Sequence, residues 1–494
     1  MKKILLLMVA CLMLVTAAMN DSSFKLDSSP SHKYLIEVLN EGVLSLGSLV
    51  NQDMILYSFD NDSTGEQFVD GETIKPGKYT LEVYNKSSSL LDYQISVGGV
   101  TLSQAISKTL PSLNVTNPTQ DISYLSMDAK TASVSGNTDG IGAIVTQYNS
   151  PEKQLTPTFS TNINVGFGEN AVWFSGIHNN GNETSKTKTI ISPGTKRISG
   201  IDRYQTAVNI RKELESFNLQ GDTVILLEHN SFSDGIPAIP LAILEQAPIL
   251  YTASNSLNLT TKEELNRLKP QKVIILGGAI STTIETELRN MGIPTIERIS
   301  GPDRYETSVK IAERILDEYT SMAYIVYGED FPDGLAAGPS AARYNAPILL
   351  TRTGSLPLAV ENFIKANPNI KEFKIVGGSA VVSDGVMNYL SQFGEVSRIG
   401  GSTRYDVSAN VNKGYGAART GAVMATGTAF PDGLPAAVLA GIRGYHLLLT
   451  PPTSVSSSTI DFLNTSAVSN FYIIGGTGAI SSEVEAQLKN YLME

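Results

Sequence analysis

Three arginines, each followed by tyrosine, recur along the chain as Arg203-Tyr204, Arg304-Tyr305 and Arg404-Tyr405. A guanidinium offers a planar fork of donors to carboxylate or phosphate, so these residues suit an anionic ligand. They suit equally a pairing with an aspartate of the same copy that packs the loops together. Such aspartates are present as Asp234-Gly235, Asp333-Gly334 and Asp432-Gly433, each ahead of a stretch rich in Ala and Pro. In one reading the aspartate caps helix amides while the glycine permits a tight turn. In the other, the carboxylate orients sugar hydroxyls. A third set, Gly277-Gly278, Gly377-Gly378 and Gly475-Gly476, has the look of strand-to-helix turns. Such turns can cradle phosphate. None is followed by Lys-Ser or Lys-Thr, however, and none completes GxGxxG, so no nucleotide cofactor is expected.

Catalysis finds few parts. The four histidines, His32, His178, His229 and His446, do not recur at equivalent positions, and no HExxH, GxSxG or His/Cys ligand spacing is present. No metal and no catalytic residue is expected. Three near-equal copies suit a ligand that itself repeats, because linked weak sites gain avidity.

The elements that must position these residues emerge from the repetition itself. Arg197-Ile-Ser-Gly-Ile-Asp-Arg-Tyr204 returns as Arg298-Ile-Ser-Gly-Pro-Asp-Arg-Tyr305 and Arg398-Ile-Gly-Gly-Ser-Thr-Arg-Tyr405, at spacings of 101 and 100 residues. Phe232-Ser-Asp-Gly, Phe331-Pro-Asp-Gly and Phe430-Pro-Asp-Gly follow in order, then Ala247-Pro-Ile-Leu-Tyr-Thr252, Ala346-Pro-Ile-Leu-Leu-Thr351 and Tyr445-His-Leu-Leu-Leu-Thr450, then the Gly-Gly pairs. In the middle copy, Ala323–Tyr327, Ala346–Thr351 and Phe373–Val376 are apolar runs of the kind buried parallel strands require. Between Asp303 and Tyr319 the apolar residues fall on one helical stripe, with Asp303 placed as its cap. Strands alternating with helices predict a parallel sheet covered on both faces, so each copy reads as a Rossmann-like α/β unit of about 100 residues. The sequence leaves open whether the Arg-Ile-x-Gly strand opens its own unit or is exchanged with a neighbour.

Residues 19–190 read differently. They are rich in Ser, Thr, Asn and Gly, and alternate in Lys78–Tyr84, Tyr93–Val97 and Asn162–Phe167, which predicts one or two small antiparallel sandwich domains with a break near 110–120. Ser192-Pro193-Gly194-Thr195 reads as the linker into the repeats. The only tryptophan, Trp173, lies near His178 in this region and suits either a core position or a sugar platform.

Composition bounds the rest. The 494 residues carry a net charge of −11 and are 41% hydrophobic. Such a surface repels polyanions as a whole, so no nucleic-acid partner is expected and an anion must be met by a few placed arginines. Met1-Lys2-Lys3, the apolar run Ile4–Val15 and Thr16-Ala17-Ala18 read as a secretory signal peptide over residues 1–18, giving a secreted chain with no other membrane segment. The single cysteine, Cys11, falls inside that run; a lipoprotein signal around it is the weaker reading, because the apolar stretch continues past it.

The triplicated motifs, with RISGxDRY, FPDGLPA, APILLT and GGxxxIS in order, closely resemble the cell wall binding repeat 2 family of Gram-positive bacteria. The resemblance covers residues 197–297, 298–397 and 398–494, roughly three fifths of the chain. It implies a pseudo-threefold set of Rossmann-like units that anchors the protein non-covalently to an anionic wall glycopolymer, teichoic-acid-like or a secondary polysaccharide; a single-chain triplet needs no partner to complete its symmetry, so a monomer is expected. On that basis Arg203, Arg304, Arg404, Asp234, Asp333, Asp432, Pro248 and Pro347 are the expected polymer-binding residues, the prolines because they match the family's apolar strand motif. The third copy departs there, with His446 in place of proline. The N-terminal region is then a displayed adhesin-like or structural module, or alternatively a wall-acting amidase or glycosidase that the repeats target.

Overall fold

The computed structural model describes residues 112–492 apart from 128, 139–141, 148–152, 178–182, 216–221 and 415–419, and, ahead of these, the strands between Phe24 and Thr101. The expected signal segment, Cys11 and His178 lie outside the described residues. The chain divides into two compact units at Ile191 and Ser192.

In the first unit, the alternating run at 78–84 lies in a strand, Gly77–Tyr84, of a four-stranded antiparallel sheet with Ser31–Val38, Met54–Ser58 and Gln67–Phe68. Residues 113–192 form two further sheets. Leu113–Asn117, Thr131–Thr138 and Thr158–Asn164 make a three-stranded antiparallel sheet whose alternate side chains are buried. Five strands, in the order Ile122–Tyr124, Glu183–Ser192, Gly168–Ile177, Gly142–Gln147 and Lys153–Leu155, make the second. Val134, Phe159 and Ile163 from one sheet meet Val145, Val172, Phe174 and Ile190 from the other in a common core, as period-two patterning on two facing sheets requires. The sandwich differs from the purely antiparallel expectation at one place, where Ile122–Tyr124 runs parallel to Glu183–Ser192. Trp173 lies outside that core and is 40% exposed.

The second unit holds three four-stranded parallel sheets. The first is ordered Ile249–Thr252, Thr223–Glu228, Lys272–Leu276, Thr295–Ile299, and the second Ile348–Thr351, Met322–Tyr327, Glu372–Val376, Glu395–Ile399. The third is ordered His446–Thr450, Gly421–Thr426, Asn470–Ile474, and its fourth strand is Gly194–Ile198. The Arg-Ile-x-Gly strand that opens each landmark therefore belongs to the sheet of the copy before it. The first such strand pairs with the last copy and closes the set. Ser192–Thr195 is accordingly no free linker, since Gly194 and Thr195 already pair with Asn470 and Phe471.

Central strands such as Gly421–Thr426 are buried throughout, because helices cover both faces. Helices Phe232–Leu244, Pro332–Arg343 and Gly433–Arg443 pack on one another and bring the copies together. The expected helix after Asp303 spans Arg304–Ile315, its amides at Tyr305 and Glu306 each capped by the Asp303 carboxylate at 2.9 Å. It stops short of Tyr319, which is 80% exposed. There Asp317 accepts hydrogen bonds from the Tyr319 amide and the Thr320 hydroxyl, a local alternative to another helical turn.

Candidate functional site

Each first strand of a copy ends in a short loop and then a phenylalanine. Phe232, Phe331 and Phe430 meet in a triangle with ring centroids 5.7 to 6.4 Å apart. They mark the pseudo-threefold axis at the carboxyl ends of the strands, where open α/β sheets place ligand sites. The helices behind them approach through the glycine of each Asp-Gly pair. A Cβ on Gly334 would strike Ile236 of the first copy, one on Gly433 would strike Leu335 of the second, and one on Gly235 would strike Leu434 of the third. The residue after each Asp-Gly pair thus seats against the glycine of the next copy. These glycines lie at helix starts with ordinary φ and are there for close approach, not for the tight turn the sequence suggested.

The repeated arginines surround this triangle. Arg304 lies over the Phe232 ring at 5.9 Å and Arg404 over Phe331 at 5.7 Å, so each spans a junction between copies. One nitrogen of each guanidinium donates to a carbonyl at its own copy's strand end: Arg203 to His229 at 2.9 Å, Arg304 to Gly328 at 2.6 Å and Arg404 to Gly427 at 2.6 Å. The tyrosine that follows stays close, with the Tyr204 ring 5.7 Å from that of His229 and the Tyr305 hydroxyl donating to Glu329 at 2.7 Å. Burial, reinforced by that carboxylate, pushes the Tyr305 hydroxyl up to about 12.

The aspartates occupy the other side of each junction. Asp234, Asp333 and Asp432 make no side-chain cap, contrary to the first sequence reading. Each carboxylate instead lies under the Gly-Gly turn of its own copy, filling the space a Cβ on Gly277, Gly377 or Gly475 would need. Those three glycines have φ of 76°, 121° and 100°, so the turn demands glycine twice over. Nor does an arginine pair with the aspartate of its own copy. Asp234 feels Arg304, Asp333 feels Arg404 and Asp432 feels Arg203, in each case across a junction.

Burial raises all three carboxyl pKa values, and the neighbours decide how far. Hydrogen bonding from Thr307 pulls Asp234 back, and Thr206 does the same for Asp432. The third copy has Val407 at that position. Asp333 therefore has no hydroxyl partner of this kind, feels Asp330 as well, and is pushed up to about 6.

Pro248 and Pro347 are buried at the amino ends of their strands, where their carbonyls accept from Ile225 and Tyr324 at 2.9 Å. Both rings are buried at that end of the sheet, away from the carboxyl ends where the arginines gather. His446 takes the same position in the third copy, with Nδ1 3.1 Å from the Asn412 side-chain oxygen and its ring against Phe462.

Sequence reasoning missed a second arginine set in plain view. Arg197, Arg298 and Arg398 donate to the carbonyls of Gly475, Gly277 and Gly377 at 2.9, 2.9 and 3.0 Å and pair with Glu485, Glu285 and Asp384. Their recurrence beside each landmark was the available signal. They hold the Gly-Gly turns, and with them the aspartates beneath.

Three parallel-sheet copies sharing one axis, with cations and aromatic rings gathered at its carboxyl end, define a repeat protein built for binding. The cell wall binding domain 2 (CWB2) profile matches residues 197–285, 298–387 and 398–485, more than half of the chain, and the chain belongs to that family. These repeats bind the cell wall, and the protein is one of the cell wall or cell surface. Two relatives from Bacillus subtilis (strain 168) are N-acetylmuramoyl-L-alanine amidase LytC, 35% identical over 60% of this chain and 58% of the relative, and an amidase enhancer, 36% identical over 60% and 40%. The chain thus spans less than two thirds of either. Among solved structures, Cwp6 from Clostridium difficile superposes with a TM-score of 0.59 at 21% identity, over 78% of this chain and 68% of that one. Cwp8 from the same organism superposes at 0.55 and 20%, over 100% and 84%. At such identities the likeness speaks for the fold. Among the described residues no helix is long and apolar enough to cross a membrane, and no three His, Cys, Asp or Glu side chains gather as a metal site.

Proposed function

We propose that the repeats anchor this protein non-covalently to an anionic wall glycopolymer, and that the N-terminal β region is a displayed adhesin-like or structural module. The observation that carries this reading is the set of three arginines at the junctions around the Phe232–Phe331–Phe430 triangle, in a chain whose net charge is −11. On an acidic protein, cations gathered at one axis favour an anion there. Asp234, Asp333 and Asp432 take no direct part in binding; they hold the Gly-Gly turns and set the field around the arginines. The test is sedimentation of the chain with isolated Gram-positive walls before and after chemical removal of the anionic polymers. Loss of binding on stripping, and weakening as salt rises, is the expected result; full binding to stripped walls removes the reading.

A second reading draws on the names of the two relatives. A wall hydrolase whose activity lies in residues 19–196 would use the same repeats for targeting. Release of soluble fragments from purified peptidoglycan by this chain would establish it, and intact peptidoglycan after prolonged incubation would dispose of it.

A further inference from the structure

Resting on the anionic-polymer reading above, we infer that the three arginines are unequal. Arg203 is the principal anion-receiving position, while Glu329 and Asp330 act as internal carboxylates that compete for Arg304 and Arg404. The difference comes from one loop, the residues after the first strand of each copy. That loop reads His229-Asn230-Ser231 in the first copy, Gly328-Glu329-Asp330 in the second and Gly427-Thr428-Ala429 in the third. Only the second carries acids.

Both acids reach the axis. Glu329 accepts from Arg304 at 3.0 Å through one oxygen and from the Tyr305 hydroxyl at 2.7 Å through the other. It thereby engages both residues of the repeated Arg-Tyr pair, as a phosphate or carboxylate of the polymer would. Asp330 reaches across the next junction to Arg404, at 3.6 Å. An ion pair at that distance is weaker, so Arg404 is the more easily released of the two.

The hydrogen-bond partners of Arg203 are neutral. Its guanidinium donates to the His229 carbonyl and, at 3.2 Å, to the Asn230 side-chain oxygen. Among the described residues no carboxylate forms an ion pair with it. Asn230 is itself held, since its side-chain nitrogen lies 2.9 Å from His229 Nε2, while His229 Nδ1 lies 2.9 Å from Glu228. That chain requires the hydrogen on Nδ1, leaves Nε2 as acceptor and keeps the Asn230 oxygen turned to Arg203. An arriving anion at Arg203 displaces a neutral amide, whereas at Arg304 it must displace a tethered charge whose effective concentration is high.

The experiment measures wall binding of the full chain and four variants, Arg203→Gln, Arg304→Gln, Arg404→Gln and the double Glu329→Gln/Asp330→Asn. Isolated Gram-positive walls with their anionic polymers are the probe, and a melting curve of each variant confirms folding. We expect Arg203→Gln to weaken binding at least tenfold, Arg404→Gln less, and Arg304→Gln by under about threefold. The double acid variant is expected to bind several-fold more tightly and with a steeper salt dependence. Equal losses at the three arginines, with no gain in the acid variant, overturn the inequality while leaving the anionic-polymer reading standing. Binding untouched by any arginine substitution and by polymer stripping overturns both.

Discussion

Arg197 and Glu485 stand 288 residues apart, and their side chains meet at 2.9 Å. The same guanidinium donates to the carbonyls of Gly475 and Ile480, so one residue near the start of the repeat region holds a turn near its end. Arg197→Ala should cost about 2 kcal/mol, as expected for losing charge-assisted hydrogen bonds. Hydrogen exchange should show the damage first in Asn470–Ile474, the strand that Gly194–Ile198 covers. Protection unchanged in that strand would mean the closing strand is held without the arginine.

Asp333 gives the repeat region a pH dependence. A folded pKa of about 6 against an ordinary value of 3.8 means the folded chain holds this proton more tightly than the unfolded one. Its contribution is therefore best below 3.8, declines as pH rises towards 6 and is flat above, with a total loss of no more than about 3 kcal/mol. Relative to the parent, Asp333→Asn should gain stability at pH 7 and little at pH 4. Val407→Thr, which supplies the hydroxyl the other two junctions have, should shift the decline to lower pH. Thermal melts of the three proteins from pH 4 to 8 make the comparison.

Arg211 and Glu264 form an ion pair at 3.3 Å between the first and third helices of copy one, with side chains 1% and 3% exposed. The second copy has Ala312 and Phe363 at these positions, and the third has Asn412 and Phe462. Arg211→Ala leaves Glu264 to Arg267, which holds it at 2.6 Å, but opens a cavity where the buried arginine packed and should cost about 2 to 4 kcal/mol. Arg211→Ala with Glu264→Phe reproduces the second copy's apolar solution and should recover most of that loss. Denaturant midpoints of the two variants decide it; a double variant no better than the single would show that the copies pack differently here.

Two of the repeated glycines should respond differently. Gly334→Ala forces a methyl into Ile236 across the copy junction and should lose about 1 to 3 kcal/mol by overpacking. Gly278→Ala meets nothing within 4 Å and should stay within about 0.5 kcal/mol of the parent. Melting temperatures are enough to see the difference.

Much of this fold was legible in the sequence because the chain repeats itself. Apolar runs such as Phe373–Val376 could only be buried strands, and Asp303 announced its helix. What stayed hidden was what happens between copies. Asp333 and Arg404 both recur, yet nothing in their spacing says that an arginine meets the aspartate of its predecessor. Gly334 read as a turn residue for the same reason, since the Ile236 that excludes any larger side chain lies in another copy. Glu329 does not repeat, so what the copies share carries no sign of it.

The strand Gly194–Ile198 has one more consequence, for copy number. An open solenoid gains or loses repeats freely, because each unit touches only its neighbours and the ends are merely capped. Here the first strand completes the last sheet and three phenylalanines share one point, so there is no end at which a unit could be added. Dropping one copy would leave an orphaned sheet edge and two rings facing a gap. The stoichiometry of three is thus fixed by angle, and variation among such units must proceed by substitution within copies, as at Asn230, Glu329 and Thr428, instead of by changing how many there are.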